Sequence, residues 1–201
     1  VREISTGHRR ALGNSLERLQ QETSHASTII EMLPRNTGGV PVDPSEFQVV
    51  SMAECVETAL QRYPFASEVE RKIVKVKMTR DVGFLGSDSG MVHVVLSLLK
   101  IALSSVAKYG KGEVLIELAT SPGDCELRIR DSSAGPPPGR LANLFDEFSL
   151  LESDSGTGPA LAQAKKLVEA FAGAIAIRSE RGQFTEYVII LPPASESGAV
   201  V

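Results

Sequence analysis

Asp131 closes a strand-like run, Glu126 to Arg130, and opens the turn-rich stretch Asp131-Ser132-Ser133-Ala134-Gly135-Pro136-Pro137-Pro138. Further on, Gly156-Thr157-Gly158 lies in a polar loop just ahead of a helix from about Pro159 to Phe171. A carboxylate at a strand end can accept hydrogen bonds, and glycines at the start of a helix let backbone approach a ligand, so these residues mark a candidate binding site. Other chemistries find little support. His8, His25 and His93 assemble neither a metal cluster nor a Ser/His/Asp arrangement. His8, beside Arg9 and Arg10, and His25, before Ala26 and Ser27, read as solvated helix residues, and His93 as a half-buried packing residue. Cys55 and Cys125 have no metal or redox spacing and read as small buried apolar residues, in keeping with a reducing cytoplasm.

The elements that must hold these residues follow from hydrophobic periodicity. From Asp88, the apolar positions Met91, Val94, Val95, Leu98, Leu99, Ala102 and Val106 predict one long helix. Strands are predicted near Gln48 to Ser51, Ile73 to Met78, Glu113 to Leu118, Glu126 to Arg130, Ala174 to Ser179 and Thr185 to Leu191, the first of them pairing at an edge. Ser51 with Glu54 reads as a capping box that opens a helix to about Tyr63. The fold class expected is an α/β sandwich over residues 47–194, a mixed sheet of about five strands with helices on one face.

Ahead of that domain, residues 1–35 read as a long dimerisation-type helix stopped at Pro34. Leu12, Leu16, Leu19, Thr23, Ala26, Ile30 and Leu33 alternate spacings of four and three, the rhythm of a coiled-coil seam that needs a partner helix. Residues 36–46 read as a Gly- and Pro-rich linker and 195–201 as a tail.

Composition narrows the classes. A chain of 201 residues, 42% of them hydrophobic, can bury one core plus a smaller appended element. No apolar run is seen to approach the ~20 residues that span a bilayer, so no membrane contact is expected within the chain. A net charge of −4, with no basic stripe, argues against nucleic acid as a partner.

The ordered series Asp131/Gly135, Phe145-Asp146-Glu147-Phe148, Gly156-Thr157-Gly158, Gly173, Ser179, Gly182 and Thr185 resembles the catalytic, ATP-binding domain of sensor histidine kinases in the GHKL ATPase superfamily, most of all those of the quorum-sensing type. The resemblance covers roughly Phe47 to Pro193. It implies that Asp131 accepts a hydrogen bond from the adenine amino group, that Gly135 belongs to the Asp-x-Gly-x-Gly box, and that Gly156-Thr157-Gly158 begins the hinge of a nucleotide lid. It also implies that the N-terminal helix is the second helix of a dimerisation hairpin, and none of the three histidines lies in a phosphoacceptor motif.

Departures from the family pattern gather at the phosphate end. Where the family has Asn-Leu-Leu-x-Asn-Ala, this chain reads Ser97-Leu98-Leu99-Lys100-Ile101-Ala102. The second Asn is the residue expected to hold magnesium, a hard cation that needs oxygen ligands, and Ile101 has none to give. Without that ligand the metal cannot orient the γ-phosphoryl group. Ser104 stands where many relatives place a basic phosphate contact. Ser133 and Ala160 replace glycines, which is expected to add backbone strain or block close approach, and Pro159 removes an amide donor. The implied protein is a degenerate histidine kinase of two-component signalling with no catalytic residue and no cofactor. It would act as a regulatory, dimerisation or phosphorelay module: a cytoplasmic homodimer that engages a response-regulator receiver domain or a partner kinase. Two alternatives are a divergent active kinase that uses ATP and magnesium through Ser97, Ser104 or Ser105, and a purely structural dimerisation module.

Overall fold

Every second residue of the strand Asp124–Asp131 points into the core, and that alternation locates both the core and the site at its end. Cys125, Leu127, Ile129 and finally Asp131 are fully buried. The computed structural model describes residues 43–121, 124–133, 135, 145 and 157–194. The helix predicted over 1–35 with its seam, residues 36–42 of the linker, Gly156, Phe148 and the tail 195–201 lie outside these residues.

In chain order the elements are β1 (Gln48–Ser51), α1 (Met52–Arg62), α2 (Glu68–Ile73), β2 (Val74–Met78), β3 (Gly83–Gly86), α3 (Asp88–Tyr109), β4 (Val114–Ser121), β5 (Asp124–Asp131), α4 (Thr157–Ala170), β6 (Ala174–Glu180) and β7 (Phe184–Leu191). Five strands form one sheet in the order β2-β4-β5-β7-β6, with β2 parallel to β4 and the remaining pairs antiparallel. This is the mixed five-stranded sheet read from the sequence. The strand at Gln48–Ser51 stands apart from it, paired antiparallel with β3 in a separate two-stranded ribbon.

Helix α3 is buried on most of its circumference: Met91, Val94, Val95, Leu98, Leu99 and Ala102 are all fully buried. Burial of each large aliphatic side chain there contributes about 1.5–3 kcal/mol. The helix lies over β4 and β5, with α1 and α4 on either side, and α4 covers β6. At 22 residues α3 is long and apolar enough to cross a membrane by composition, contrary to the sequence reading that no run approaches that length. Its apolarity has a local cause, because helices and sheet enclose it. Ser87 caps its start, accepting from the Gly90 N–H at 3.2 Å, and Gly110 ends it in the left-handed region at φ 74°.

The sheet's opposite face carries charge, with Lys77 paired to Glu117 across β2 and β4 at 2.6 Å and Arg128 to Glu126 at 2.7 Å. Phe171, at the end of α4, packs edge-on against Phe47 at 5.4 Å and tilted against Phe84 at 5.7 Å, which ties the small ribbon to the helical layer.

Candidate functional site

Asp131 is the last residue of β5, in register with Val114 on β4 and Thr185 on β7. Its inward position follows from strand parity, two residues beyond Ile129. The turn that follows is pinned to the sheet: the Ser132 N–H donates to the Glu113 carbonyl at 3.1 Å, and the Glu113 N–H to Ser132 Oγ at 2.8 Å. Chain direction after Asp131 is therefore fixed, and the Ser133 N–H turns back to donate to Asp131 Oδ1 at 3.0 Å.

The other carboxylate oxygen, Oδ2, is buried with no hydrogen-bond partner among the described residues. Leaving such an acceptor unpaired costs on the order of 1–3 kcal/mol. Burial pushes the Asp131 carboxyl above its ordinary value, and this outweighs the opposing pull of the Ser133 hydroxyl and N–H. Tyr187, the next inward residue on β7 after Thr185, has its phenol raised by burial and then by the Asp131 charge.

Hydroxyls surround this carboxylate. Ser133 and Thr185 are buried. Ser179 Oγ donates to the Phe184 carbonyl at 3.0 Å and shares a hydrogen bond with Thr185 Oγ1 at 3.4 Å. Gly135 adopts φ 69°, with its N–H donating to Ser133 Oγ at 3.4 Å, and any side chain there would collide with the Ser179 hydroxyl. Only glycine satisfies both conditions. The cluster offers a ligand one desolvated acceptor amid hydroxyls able to donate or accept, a setting suited to an amino-bearing heterocycle.

The structure thus brings Asp131, Ser133 and Gly135 together with Ser179 and Thr185. The hydroxyl partners were visible in the sequence only as parts of a motif series. The signal that marks them is a polar residue at an inward parity position: Ser179 after Ile177, Thr185 before Tyr187, Asp131 after Ile129.

Ser97, Ile101 and Ser104 share one face of α3, at spacings of four and three. Ser97 and Ile101 are buried, at 3% and 6% exposure, and Ser104 is half-buried. Thr157, Gly158, Pro159 and Ala160 make up the first turn of α4. Proline is tolerated there, because the first amides of a helix have no intrahelical acceptor.

The strain expected at the two replaced glycines is absent. Ala172, φ 58°, is the one non-glycine residue with positive φ among the described residues. Ser133 is held in ordinary backbone geometry by its bond to Asp131, and Ala160 lies inside a helix, so neither needs glycine's freedom. Phe145 packs against the core, with Lys165 Nζ 5.6 Å from its ring centre. His93 is half-buried, and burial lowers its pKa.

The two halves fit ATP and magnesium unequally. The orphaned Asp131 Oδ2 matches an adenine amino donor, whereas an isoleucine side chain at 101 supplies no oxygen for magnesium.

Comparison with known proteins agrees with this architecture. Residues 86–195 match the model of the histidine kinase-, DNA gyrase B- and HSP90-like ATPases. The chain is 26% identical over 151 residues to the CAI-1 autoinducer sensor kinase/phosphatase CqsS of Vibrio cholerae, covering 75% of this chain and 22% of that protein. It is 22% identical over 179 residues to the autoinducer 1 sensor kinase/phosphatase LuxN of Vibrio campbellii, covering 88% of this chain and 21% of LuxN. The chain thus spans about a fifth of the length of these relatives. Among solved structures, the mycobacterial sensor histidine kinase MprB superposes with a TM-score of 0.59 at 28% identity, covering 73% of this chain and 97% of that one. The match over residues 86–195, with the five-stranded sheet and Asp131 at its end, makes this chain a member of the histidine kinase-, DNA gyrase B- and HSP90-like ATPase family, with the catalytic ATPase-type domain of two-component sensor histidine kinases.

Proposed function

We propose that this domain is a degenerate member of its family: it no longer transfers phosphoryl groups from Mg-ATP and acts in two-component signalling as a regulatory, dimerisation or phosphorelay module. The observation that carries the reading is Ile101, a buried apolar side chain at the position where the family resemblance implies a magnesium ligand. Ser97 and Ser104 on the same face supply hydroxyls, weaker magnesium ligands than an amide carbonyl or carboxylate. Such a module works by occupying partners. The seam Leu12, Leu16, Leu19, Ala26, Ile30 and Leu33 would pair two copies, and a response-regulator receiver domain or a partner kinase would be the target. Light scattering on the 201-residue chain is expected to give a dimer, and a monomer would remove that part of the proposal.

A second reading, a divergent active kinase with Ser97, Ser104 or Ser105 on the metal, draws on the preserved acceptor at Asp131. Replacing Ile101 with Asn separates the two. If the loss of one ligand explains the loss of chemistry, the variant gains magnesium-dependent ATP binding of roughly tenfold, about 1.4 kcal/mol. Autophosphorylation of the unaltered chain with Mg-ATP would overturn the degenerate reading outright.

A further inference from the structure

The first turn of α3 opens on a space that neither Asp131 nor Ile101 reaches. A cavity of about 460 Å³ lies between the start of α3 and the end of α4, bounded on its third side by residues 43–48, which lead into β1. The strand that follows α3 begins at Val114, the partner of Asp131, so that carboxylate lies toward the far end of the helix. We infer that the cavity is a binding site for a small organic cation, a protonated amine carried on an aromatic or branched apolar body. The inference does not depend on the reading of Ile101.

The walls set the body of the ligand. Leu167 and Phe171, from the end of α4, are buried beneath the cavity, and Phe47 stands edge-on to Phe171 at 5.4 Å. Gly90 lets α3 come close to this floor, because a Cβ there would meet the Phe171 ring at 2.8 Å. An apolar floor under a few polar groups, at a volume within the usual range of roughly 300–1,000 Å³, is the common form of a small-molecule site. Two phenyl rings and a leucine suit a flat or branched apolar group, and ring faces also attract a cation.

The rim sets the head group. Asp43, Glu46 and Asp88 line the cavity, and no lysine or arginine does. His93 adds no positive charge at neutral pH, since burial lowers its pKa. The start of a helix would ordinarily offer amides to an anion. Here the first amides are taken: Ser87 Oγ accepts from the Gly90 N–H at 3.2 Å, Asp88 Oδ1 from the Ser89 N–H at 2.6 Å, and the Ser87 carbonyl from the Met91 N–H at 3.0 Å. An anion would therefore face carboxylates, whereas a protonated amine gains charge-assisted hydrogen bonds from them. The exposed Glu46 carboxylate has no partner among the described residues and is free to supply one. A cation held there would tie residues 43–48, where the chain enters the domain, to both α3 and α4.

The test is an amide chemical-shift titration of the 201-residue chain, at neutral pH and low salt, with 2-phenylethylamine, 2-phenylethanol and 3-phenylpropionate. These probes share a phenyl ring on a short tether and differ in charge. The amine is expected to bind about tenfold tighter than the alcohol, and the carboxylate more weakly than either. Its shifts should centre on Phe47, on the first turn of α3 and on Leu167 to Phe171. Glu46→Gln, at an exposed residue without a partner, should weaken the amine about threefold, and Glu46→Gln with Asp88→Asn should bring it within about twofold of the alcohol. An unchanged spectrum away from the cavity shows that each variant is folded. Equal binding of amine and alcohol, a preference for the carboxylate, amine binding weaker than about 10 mM, or an advantage that survives the double variant would each overturn the inference. None of these results bears on Mg-ATP, which the Ile101→Asn variant tests separately.

Discussion

Asp131 places a carboxyl where burial disfavours its charged form. Burial raises its carboxyl above the ordinary 3.8, so between that value and its raised value the native chain holds a proton that the unfolded chain has released. The associated stability is fully present below 3.8 and lost as pH rises through the raised value. Above the raised value the carboxyl is a buried charge with one oxygen unpaired among the described residues. Asp131→Asn without nucleotide is thus expected to melt higher than the unaltered chain at neutral pH, with the gap narrowing as pH falls through the raised value and constant below 3.8. Melting temperatures that differ equally at both ends of that range would show the carboxyl unshifted. Asp131 and Gly135 were legible in the sequence because one ends an apolar alternation and the other follows in a turn. The behaviour of Ser133 was not. Its replacement of a glycine suggests strain, whereas its backbone amide is bonded to Asp131 and its φ is not positive, which only three-dimensional geometry reveals.

Helix ends carry most of the local information at the scale of elements. Ser51 caps α1, accepting from the Glu54 N–H at 3.0 Å as its sequence suggested. A further acceptor comes from 28 residues beyond Ala53, where Asp81 Oδ1 takes the Ala53 N–H at 3.0 Å and Asp81 Oδ2 the Ser51 hydroxyl at 2.8 Å. No local spacing rule could show that bond. Strand β3 and helix α2 were likewise illegible, one of four residues with glycine at both ends, the other of six with no fully buried side chain. The long helix and the five sheet strands, with stronger periodicity, were readable near their observed limits. Ala172, just past α4, sits at φ 58° in the position where helices favour glycine, while the following Gly173 N–H closes the turn on Val168 O at 2.9 Å. Ala172→Gly should relieve strain of about 1 kcal/mol and raise the melting temperature by roughly 2–4 °C. A lower melting temperature would mean that the alanine methyl contributes packing that outweighs the strain.

Across the whole molecule, the sheet holds one group of candidate site residues and helix α3 the other, and the two need not be retained together. The cluster of Asp131, Ser179 and Thr185 is built from the ends of β5, β6 and β7, which the five-stranded sheet holds in register. Ile101, at the position where the resemblance implies a magnesium ligand, lies on α3, where apolar burial stabilises the helix and an isoleucine is accommodated without loss of the fold. On the proposed reading the fold outlasts its phosphoryl chemistry, because the side chain at the position assigned to magnesium, Ile101, is itself packed into the core. The most direct measurement is calorimetric titration of the chain with ATP, once in EDTA and once in excess magnesium. The account predicts the same affinity in both. Binding that appears or tightens by about tenfold or more only with magnesium would contradict it.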